Sequence, residues 1–321
     1  MNISLEETVN MLKEKDKILV ITHKNPDGDA IGSSFALFLA LKKMGKNVIM
    51  DIGAKIPEVY KEICGAYDRQ YNFKPQFVVS VDLADTNLLL EHLSFFKDKI
   101  DLSIDHHVSN TNYSKYLLLD SKVASNTELL YDVIVKLLGS RSIDSRISSC
   151  LYLGIATDSG CFKYSSVTAK THMVAADLIT KGADYYHINK KMFDTKSKAK
   201  IQIEQILLSN IEYYFDDRCA LIFVSKELKD QFEISDDELE GLSSLPTQIE
   251  GVDIGVTIKE NKDKKFEHKI SIRTNEFYDA SKICEKFGGG GHKRAGGCTI
   301  VGSNEEVKNK LINVISEFLK N

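Results

Sequence analysis

The sequence lacks several features that mark particular classes of protein. Its six cysteines form no C-x-x-C pair and no zinc-finger spacing, and its four prolines give no proline-rich segment. No apolar run approaches the roughly 18 residues that a membrane span needs. The cysteines are therefore expected to be free thiols in a reducing compartment; they lie at positions 64, 150, 161, 219, 284 and 298. The N-terminal stretch MNISLEETVNMLKEKDK has no apolar core of a signal peptide, so we predict a cytoplasmic protein.

The sequence also lacks a large excess of positive charge. Its formal net charge of −4 argues against a basic surface that grips long duplexes. A local basic cleft for a short anionic substrate is still compatible with this charge. The chain of 321 residues is 43% hydrophobic and 27% charged, which is typical of a soluble globular protein with two domains of ordinary size.

Short apolar strands and helices alternate along the first half of the chain. The predicted strands are residues 17–22, 47–52, 77–82 and 101–107, and the predicted helices are residues 4–15, 30–45, 57–64, 86–96, 125–138 and 144–156. This alternation predicts an α/β fold with a doubly wound, mostly parallel sheet that has helices on both faces.

The second half of the chain predicts a smaller α/β domain. Helices continue through residues 170–193, and residues 195–215 read as a polar start followed by a long helix. Predicted strands at 219–225, 252–260 and 269–274 follow, then the helix DASKICEKF and the glycine-dense GGGGHKRAGG. We therefore predict a catalytic domain over 1–195, a helical linker over 196–215 and a substrate-binding domain over 216–321.

Acidic and histidine residues collect where the predicted strands end. His23 follows the first strand, Asp82 closes the third, and Asp105, His106 and His107 close the fourth. Asp158 follows the apolar run CLYLGIAT. Parallel α/β sheets bind ligands at the carboxyl ends of their strands, so we expect these residues at one edge.

Each of these residues, taken alone, has an ordinary structural explanation. Asp27 and Asp29 can cap the helix that begins near Ala30, and a histidine after a strand is commonly a satisfied structural residue. The conjunction is different, because four strand ends would each deliver carboxylate or imidazole to one cleft. That many carboxylates repel one another unless cations neutralise them. We therefore predict two divalent ions in this cleft. Carboxylate and imidazole ligands without thiolate favour Mn²⁺, with Mg²⁺ or Fe²⁺ as alternatives.

The motifs HKNPDGDAIGS, VDLAD, DHH and GIATDSG resemble the four ordered motifs of the DHH phosphoesterases. The run FGGGGHKRAGG resembles the phosphate-binding signature of the DHH-associated C-terminal domain. The resemblance spans nearly the whole chain. The length and the absence of added domains resemble the subfamily of bifunctional oligoribonucleases and pAp phosphatases.

This resemblance implies a division of the ligands between two metals. His23 and Asp27 would hold one ion, Asp29, His106 and Asp158 would hold the other, and Asp82 would bridge both. His107 would face the scissile phosphate as a catalytic residue. Asp105 would orient the neighbouring histidines. Such a pair of metals activates water and stabilises charge on the phosphate oxygens.

The glycine run suggests a second binding site. Without side chains, its backbone N–H groups can approach an anion and form a nest, although a flexible loop would suit four glycines as well. Arginine and histidine nearby would add donors to a phosphate. The predicted substrate-binding residues are Arg273, Gly289, Gly290, Gly291, His292 and Arg294.

The sequence thus predicts a phosphoesterase that degrades very short RNA to mononucleotides and dephosphorylates adenosine 3′,5′-bisphosphate (pAp). A clamp between two domains would favour short single-stranded RNA, dinucleotides or a nucleoside bisphosphate over long chains. The alternatives are a phosphodiesterase for cyclic di-AMP or pApA, a manganese-dependent inorganic pyrophosphatase, a processive exonuclease and a metal-dependent nucleotide sensor. The oligomeric state stays open, with a homodimer as one alternative.

Overall fold

The computed structural model describes residues 1–53, 56–66, 71–234, 239 and 241–319. The chain divides into two compact units, Met1–Thr195 and Lys196–Asn321. All six cysteines are free thiols, as expected. Within the described ranges, no helix combines the length and the apolar character needed to cross a membrane.

The N-terminal unit is built on a five-stranded parallel sheet. Its strands have the spatial order β2-β1-β3-β4-β5. They are β1 (Ile18–Ile21), β2 (Val48–Asp51), β3 (Phe77–Val81), β4 (Leu102–Asp105) and β5 (Tyr116–Leu119). Every residue of β1 to β4 is buried, as expected for a parallel sheet covered on both faces. The predicted α/β architecture is confirmed.

The two faces of this sheet are covered differently. The larger core packs α-helices on one face, and the smaller core packs Leu89, Leu90 and the 3₁₀ helix 91–96 on the other. The helices of the unit are α1 (Leu5–Glu14), α2 (Gly28–Lys43), α3 (Glu58–Cys64), α4 (Asn126–Leu138), α5 (Ser145–Asp158), α6 (Ala169–Thr180) and α7 (Tyr185–Asn189), followed by a π-helical turn at Lys190–Asp194.

Two elements of this unit differ from the sequence-based prediction. The predicted helix over 86–96 is broken, because Leu89 and Leu90 are extended; Leu89 is buried in the smaller core and Leu90 packs against it. Strand β5 was not predicted. Its run of four residues is too short to carry a clear period, and it lies at the edge of the sheet.

The C-terminal unit contains a six-stranded mixed sheet with the order β10-β11-β9-β8-β7-β6. Only β7 and β8 run parallel; the other neighbours are antiparallel. The strands are β6 (Glu212–Tyr214), β7 (Cys219–Val224), β8 (Ile254–Glu260), β9 (Glu267–Thr274), β10 (Gly290–His292) and β11 (Ala295–Val301). The helices are α8 (Lys198–Ser209), α9 (Lys226–Gln231), α10 (Ala280–Glu285) and α11 (Asn304–Leu319).

This unit corrects the prediction in two places. The linker helix ends at Ser209 instead of continuing to 215, and residues 212–214 form edge strand β6. The glycine-dense segment, for which no strand was predicted, forms most of a β-hairpin, β10–β11. The hairpin joins the sheet because β11 alternates buried and exposed residues and pairs with β9 along its full length.

Candidate metal centre and substrate surface

Three strand ends of the parallel sheet supply part of the candidate metal centre. His23 lies two residues after β1, and Asp82 directly follows β3. Asp105 is the last residue of β4, so His106 and His107 come immediately after it. Asp82 has a positive φ of 53°, a strained conformation of the kind that clusters at functional sites. The carboxyl edge of the sheet therefore places these groups together, as the topology requires.

Helix ends supply the remaining three carboxylates. Asp27 is the N-cap of α2, and Asp29 lies in the first turn of that helix. Asp158 is the last residue of α5. The prediction that a fourth strand end delivers Asp158 is wrong, because the apolar run before it is a helix with buried residues on all sides. A short apolar run alone does not separate a buried strand from a buried helix.

Three glycines let α2 and α5 approach closely enough to bring these carboxylates together. A Cβ atom at Gly28 would lie 2.4 Å from Thr157 Oγ1, and one at Gly32 would lie 2.4 Å from a backbone carbonyl of α5. A Cβ atom at Gly154 would lie 2.5 Å from Asp29 Oδ1. Larger residues at these three positions would push the helices apart, so the glycines are required by the close helix packing beside the site.

The predicted ligands form overlapping groups whose ligand atoms lie within 4.8 Å of one another. The groups are His23, Asp27 and Asp82; Asp29, His106 and Asp158; and Asp82, His106 and His107. His106 Nε2 lies 3.5 Å from both Asp82 Oδ1 and Asp158 Oδ2, and 3.9 Å from Asp29 Oδ2. The structure thus brings all six predicted metal ligands into one cluster.

The position of Asp82 fits a metal ligand better than a structural residue. Its Oδ1 atom is buried and has no hydrogen-bond partner among the described residues. It lies 3.5 Å from His106 Nε2 and 3.6 Å from His107 Nδ1, too far for good hydrogen bonds. Two atoms that share an ion at about 2.1 Å lie roughly 3.0–3.5 Å apart. The residues therefore fit a divalent cation bound at this buried oxygen.

The electrostatics of the cluster point the same way. Burial and the neighbouring carboxylates raise the pKa of Asp82 well above its usual range and raise that of Asp29. Burial, with Asp29 and Asp27 nearby, raises the pKa of Asp158 to about 8. Burial lowers the pKa of His23, which favours the neutral imidazole that metals bind. These acids are costly to ionise without a cation between them.

Asp27 and Asp29 each have a structural role beside any metal. Asp27 Oδ1 accepts hydrogen bonds from the N–H groups of Asp29 (3.1 Å) and Ala30 (3.0 Å), so it caps α2. Asp29 accepts from the N–H groups of Asn126 (2.5 Å) and Thr127 (2.9 Å) at the start of α4. Each carboxylate has further lone pairs, so capping and metal binding are compatible at both residues.

Asp105 holds the ring of His107. Its Oδ1 lies 2.8 Å from His107 Nδ1 and accepts from the His106 N–H group, while its Oδ2 accepts from Asn110 at 2.6 Å. Burial alone would lower the pKa of His107, but the hydrogen bond and charge of Asp105 raise it overall. Asp105 is fully buried and turned toward its donors, which fits an orienting residue.

Sequence reasoning missed three polar residues that shape the centre. Asn110 anchors Asp105, while Asn126 and Thr127 anchor Asp29. The run SNTELL at the start of the predicted helix 125–138 is an N-cap signal that could have found Asn126 and Thr127, since helix N-termini favour carboxylates. Asn110 lies in a loop after DHH, and the sequence gives no comparable signal for it.

The C-terminal unit places three of the predicted substrate residues, Arg273, Gly290 and His292, on one face of its sheet. His292 pairs with Ala295, which pairs with Arg273, so all three project from the same face. In the next row of that face, Gly290 pairs with Gly297, which pairs with Ser271. We call this area the hairpin face: Arg273, His292, Ala295, Gly290, Gly297 and Ser271. Because the residues between them are small, the hairpin face forms a shallow depression between Arg273 and His292. These two residues lie roughly 9–10 Å apart across two strand spacings.

Arg294 lies in the turn of the hairpin and is already engaged. Its Nη1 donates to the backbone carbonyls of Asn275 and Tyr278, the latter at 3.3 Å. These bonds tie the turn to the segment before α10. A structural role for Arg294 therefore accompanies any contact with substrate.

The glycines of the hairpin have different reasons to lack a side chain. A Cβ atom at Gly289 would lie 2.2 Å from the carbonyl of Gly297, and one at Gly291 would lie 2.4 Å from that of Ala295. A Cβ atom at Gly290 would meet nothing within 4 Å. Packing explains two of the three glycines that were predicted to bind an anion. The backbone nest predicted for residues 288–291 stays a prediction; Gly290 and Gly291 lie in strand β10.

Two family profiles match the chain. The DHH family, N-terminal domain, matches residues 17–155, and the DHHA1 domain matches residues 219–321. Together the two profiles cover well over half of the chain, and they fall in the two compact units.

Relatives of similar length match nearly end to end. The bifunctional oligoribonuclease and PAP phosphatase NrnA of Thermus thermophilus is 26% identical over 307 residues, which covers 94% of this chain and 90% of that protein. The protein of the same name in Bacillus subtilis is 23% identical over 309 residues, covering 93% and 94%.

One solved structure has nearly the same fold throughout. An exopolyphosphatase-related protein from Bacteroides fragilis superposes with a TM-score of 0.89 at 25% identity, covering 99% of this chain and 97% of that one.

Proposed function

Because the chain belongs to the DHH family and carries a DHHA1 domain, we propose that it hydrolyses very short RNA to mononucleotides and removes a phosphate from pAp. The relatives named as bifunctional oligoribonuclease and PAP phosphatase support this activity. The observation that carries it is the cluster of six Asp and His ligands around the buried, unpartnered Oδ1 of Asp82.

The ligand groups support two divalent ions, and we assign them as Mn²⁺. His23 and Asp27 would hold one ion, and Asp29, His106 and Asp158 the other, with Asp82 shared between them. When bound, two such ions lower the pKa of water and neutralise charge on phosphate oxygens. Carboxylate and imidazole ligands without thiolate support Mn²⁺ over zinc.

His107 would act on the substrate. Asp105 accepts from its Nδ1, which fixes the tautomer with the proton at that nitrogen and makes Nε2 the nitrogen that meets the substrate. If the ring is protonated, Nε2 donates a hydrogen bond to a phosphate oxygen or a proton to the leaving oxygen. The Asp105 carboxylate accepts from His106, His107 and Asn110, so its role would be to position this ring.

The hairpin face would bind a part of the substrate remote from the scissile phosphate. Arg273 and His292 supply donors for a phosphate on a surface kept open by Gly290 and Gly297. Arg294 and the remaining glycines would support this surface by fixing the hairpin. Two separate contacts of this kind would select short oligonucleotides and nucleoside bisphosphates.

A substrate panel tests the proposal. Purified protein with Mn²⁺ would be assayed against pAp, pApA, cyclic di-AMP, RNA of two to twenty nucleotides, and pyrophosphate. We expect release of AMP from pApA and of phosphate from pAp, with turnover falling as the RNA lengthens. A preference for cyclic di-AMP or pyrophosphate, or undiminished activity on the longest RNA, would contradict the proposed function.

A further inference from the structure

The segment after the ligand Asp158 carries an exposed aromatic side chain that the fold does not require. Tyr164 is 60% exposed. Its backbone N–H donates to the carbonyl of Ser159 at 3.1 Å, so the chain doubles back toward Asp158. Its ring lies over Gly160, where a Cβ atom would come within 2.4 Å of the ring carbons. The tyrosine is therefore held against a residue two positions from a candidate metal ligand.

The backbone of this segment is strained. Gly160, Cys161 and Phe162 have φ values of 57°, 57° and 64°, all in the left-handed region. Non-glycine residues rarely adopt that region, and strain of this kind clusters where a functional side chain must be aimed. The Phe162 N–H donates to Ser159 Oγ at 3.0 Å, and the Cys161 N–H donates to the Ala156 carbonyl at 2.7 Å. The turn is thus closely tied to the end of α5.

The turn is anchored to the hydrophobic core by Phe162 and not by Tyr164. Phe162 is half-buried, stacks on His172 at 5.3 Å between ring centroids, and lies 6.1 Å from the ring of Tyr152. Phe162 therefore anchors the segment to the core, and the Tyr164 ring faces solvent.

Asp158 has the most exposed side chain of its ligand group. Its side chain is 35% exposed, whereas those of Asp29 and Asp82 are 2% and 3% exposed and that of His106 is 15% exposed. A phosphate would reach this group past Asp158. The Tyr164 ring lies over Gly160, two residues after Asp158.

We propose that Tyr164 is a base-stacking residue that positions the nucleotide next to the scissile phosphate. The inference rests on the proposed function, because it requires a nucleotide substrate. Every nucleobase offers a π-face, so the stack would bind all four bases with little sequence preference. Tyr164 would act as a positioning residue, since the stack holds the base and takes no part in bond breaking.

The test combines variants with abasic substrates. Wild type, Tyr164→Ala and Tyr164→Phe would be assayed for kcat/KM on pApA and on two analogues, each lacking one base. Tyr186→Ala is the matched control, because Tyr186 is 66% exposed in the same unit but packs near Lys190 instead of the ligand groups.

We expect Tyr164→Ala to lose roughly 5- to 150-fold on pApA, the range seen when a stacking aromatic is replaced by alanine. Tyr164→Phe should stay within about 2-fold, and Tyr186→Ala should match wild type. The analogue that lacks the stacked base should be a poor substrate for wild type. Its kcat/KM should not fall further in Tyr164→Ala, because the stack is already absent.

Three outcomes would each contradict either the inference about Tyr164 or the proposed function. Equal loss by Tyr164→Ala on pApA and both analogues would assign Tyr164 a structural role, and no loss on any of them would remove it from the site. Either result overturns the inference alone. Failure of the wild type on every nucleotide would overturn the proposed function, and the inference with it.

Discussion

The two candidate sites differ in what the fold needs from their residues. In the N-terminal unit, Asp82 keeps a buried oxygen without a hydrogen-bond partner among the described residues, and neighbouring carboxylates raise one another's pKa. In the C-terminal unit, Gly289 and Gly291 are explained by close backbone packing, and Arg294 holds a turn. Residues that cost the fold stability therefore indicate function more strongly than residues that the fold itself requires.

We expect the largest loss of activity at Asp82, whose buried oxygen, unpartnered within the described ranges, costs the fold stability. Asp82→Ala should lower turnover at least about 1,000-fold, because loss of a shared ligand removes both Lewis acidity and water activation. Bound metal should fall from two equivalents toward one or none. Steady-state kinetics and metal analysis by mass spectrometry would measure both.

Asp120→Ala is the matched control for this variant. Asp120 follows β5 at the same edge of the sheet, and its carboxylate accepts from the Lys122 N–H group. It should keep two metals and normal turnover. Two equivalents of bound metal and wild-type turnover in Asp82→Ala itself would contradict the assignment of Asp82 as the shared ligand.

A pair of arginine variants sharpens the comparison within the C-terminal unit. Arg273→Ala should lose about 10- to 100-fold in kcat/KM on dinucleotides, since hydrogen bonds to charged groups are worth roughly 1.5–3 kcal/mol. Arg294→Ala should instead lower the free energy of unfolding by about 1–3 kcal/mol, because two carbonyls lose their donor.

A generic phosphodiester separates binding from chemistry in both arginine variants. Bis-p-nitrophenyl phosphate carries no remote phosphate, so its slow hydrolysis should be unchanged in Arg273→Ala. A stable Arg294→Ala with a selective loss on dinucleotides would show that Arg294, instead of Arg273, makes the substrate contact.

The glycines offer a smaller effect with an internal control. Gly290→Ala should leave the melting temperature unchanged, because its Cβ meets open space, yet lower kcat/KM on dinucleotides about 10-fold by filling the hairpin face. Gly291→Ala should cost more than about 1 kcal/mol in stability, since its φ of 141° and a nearby carbonyl exclude a side chain. Thermal melts and dinucleotide kinetics on both variants would decide. A Gly290→Ala variant that binds and cleaves like wild type would contradict the role of the hairpin face.

Metal removal should change how stability depends on pH. In apoprotein, Asp29, Asp82 and Asp158 have pKa values raised above the ordinary 3.8, that of Asp158 to about 8. Between about pH 4 and 8 the folded state then binds more protons than the unfolded state, so stability falls as pH rises. With saturating Mn²⁺ the slope should weaken or reverse, because the metal competes with those protons.

Melting temperatures from pH 5 to 8, in chelator and in Mn²⁺, would test this expectation. Parallel curves would mean that the raised carboxylates are not metal ligands.

The sequence predicts the N-terminal unit better than the C-terminal one, for physical reasons. Buried parallel strands are apolar runs, and topology alone carries the residues after β1, β3 and β4 to one edge. Asp158 joins them from the end of α5, which was predicted as a helix over 144–156, so counting it as a fourth strand end was an error. Edge strands β5 and β6 were missed because three or four residues hold too little pattern. The role of each hairpin glycine depends on contacts with Gly297 and Ala295, and no local pattern reveals such contacts.

The central claim is that the Asp and His cluster holds two metals with Asp82 between them. The most direct measurement is a crystal structure of the Mn²⁺-loaded protein, with anomalous diffraction collected at the manganese absorption edge. We expect two anomalous peaks roughly 3.5–4 Å apart, each within bonding distance of an Asp82 oxygen. A single peak, or two peaks that do not share Asp82, would contradict it.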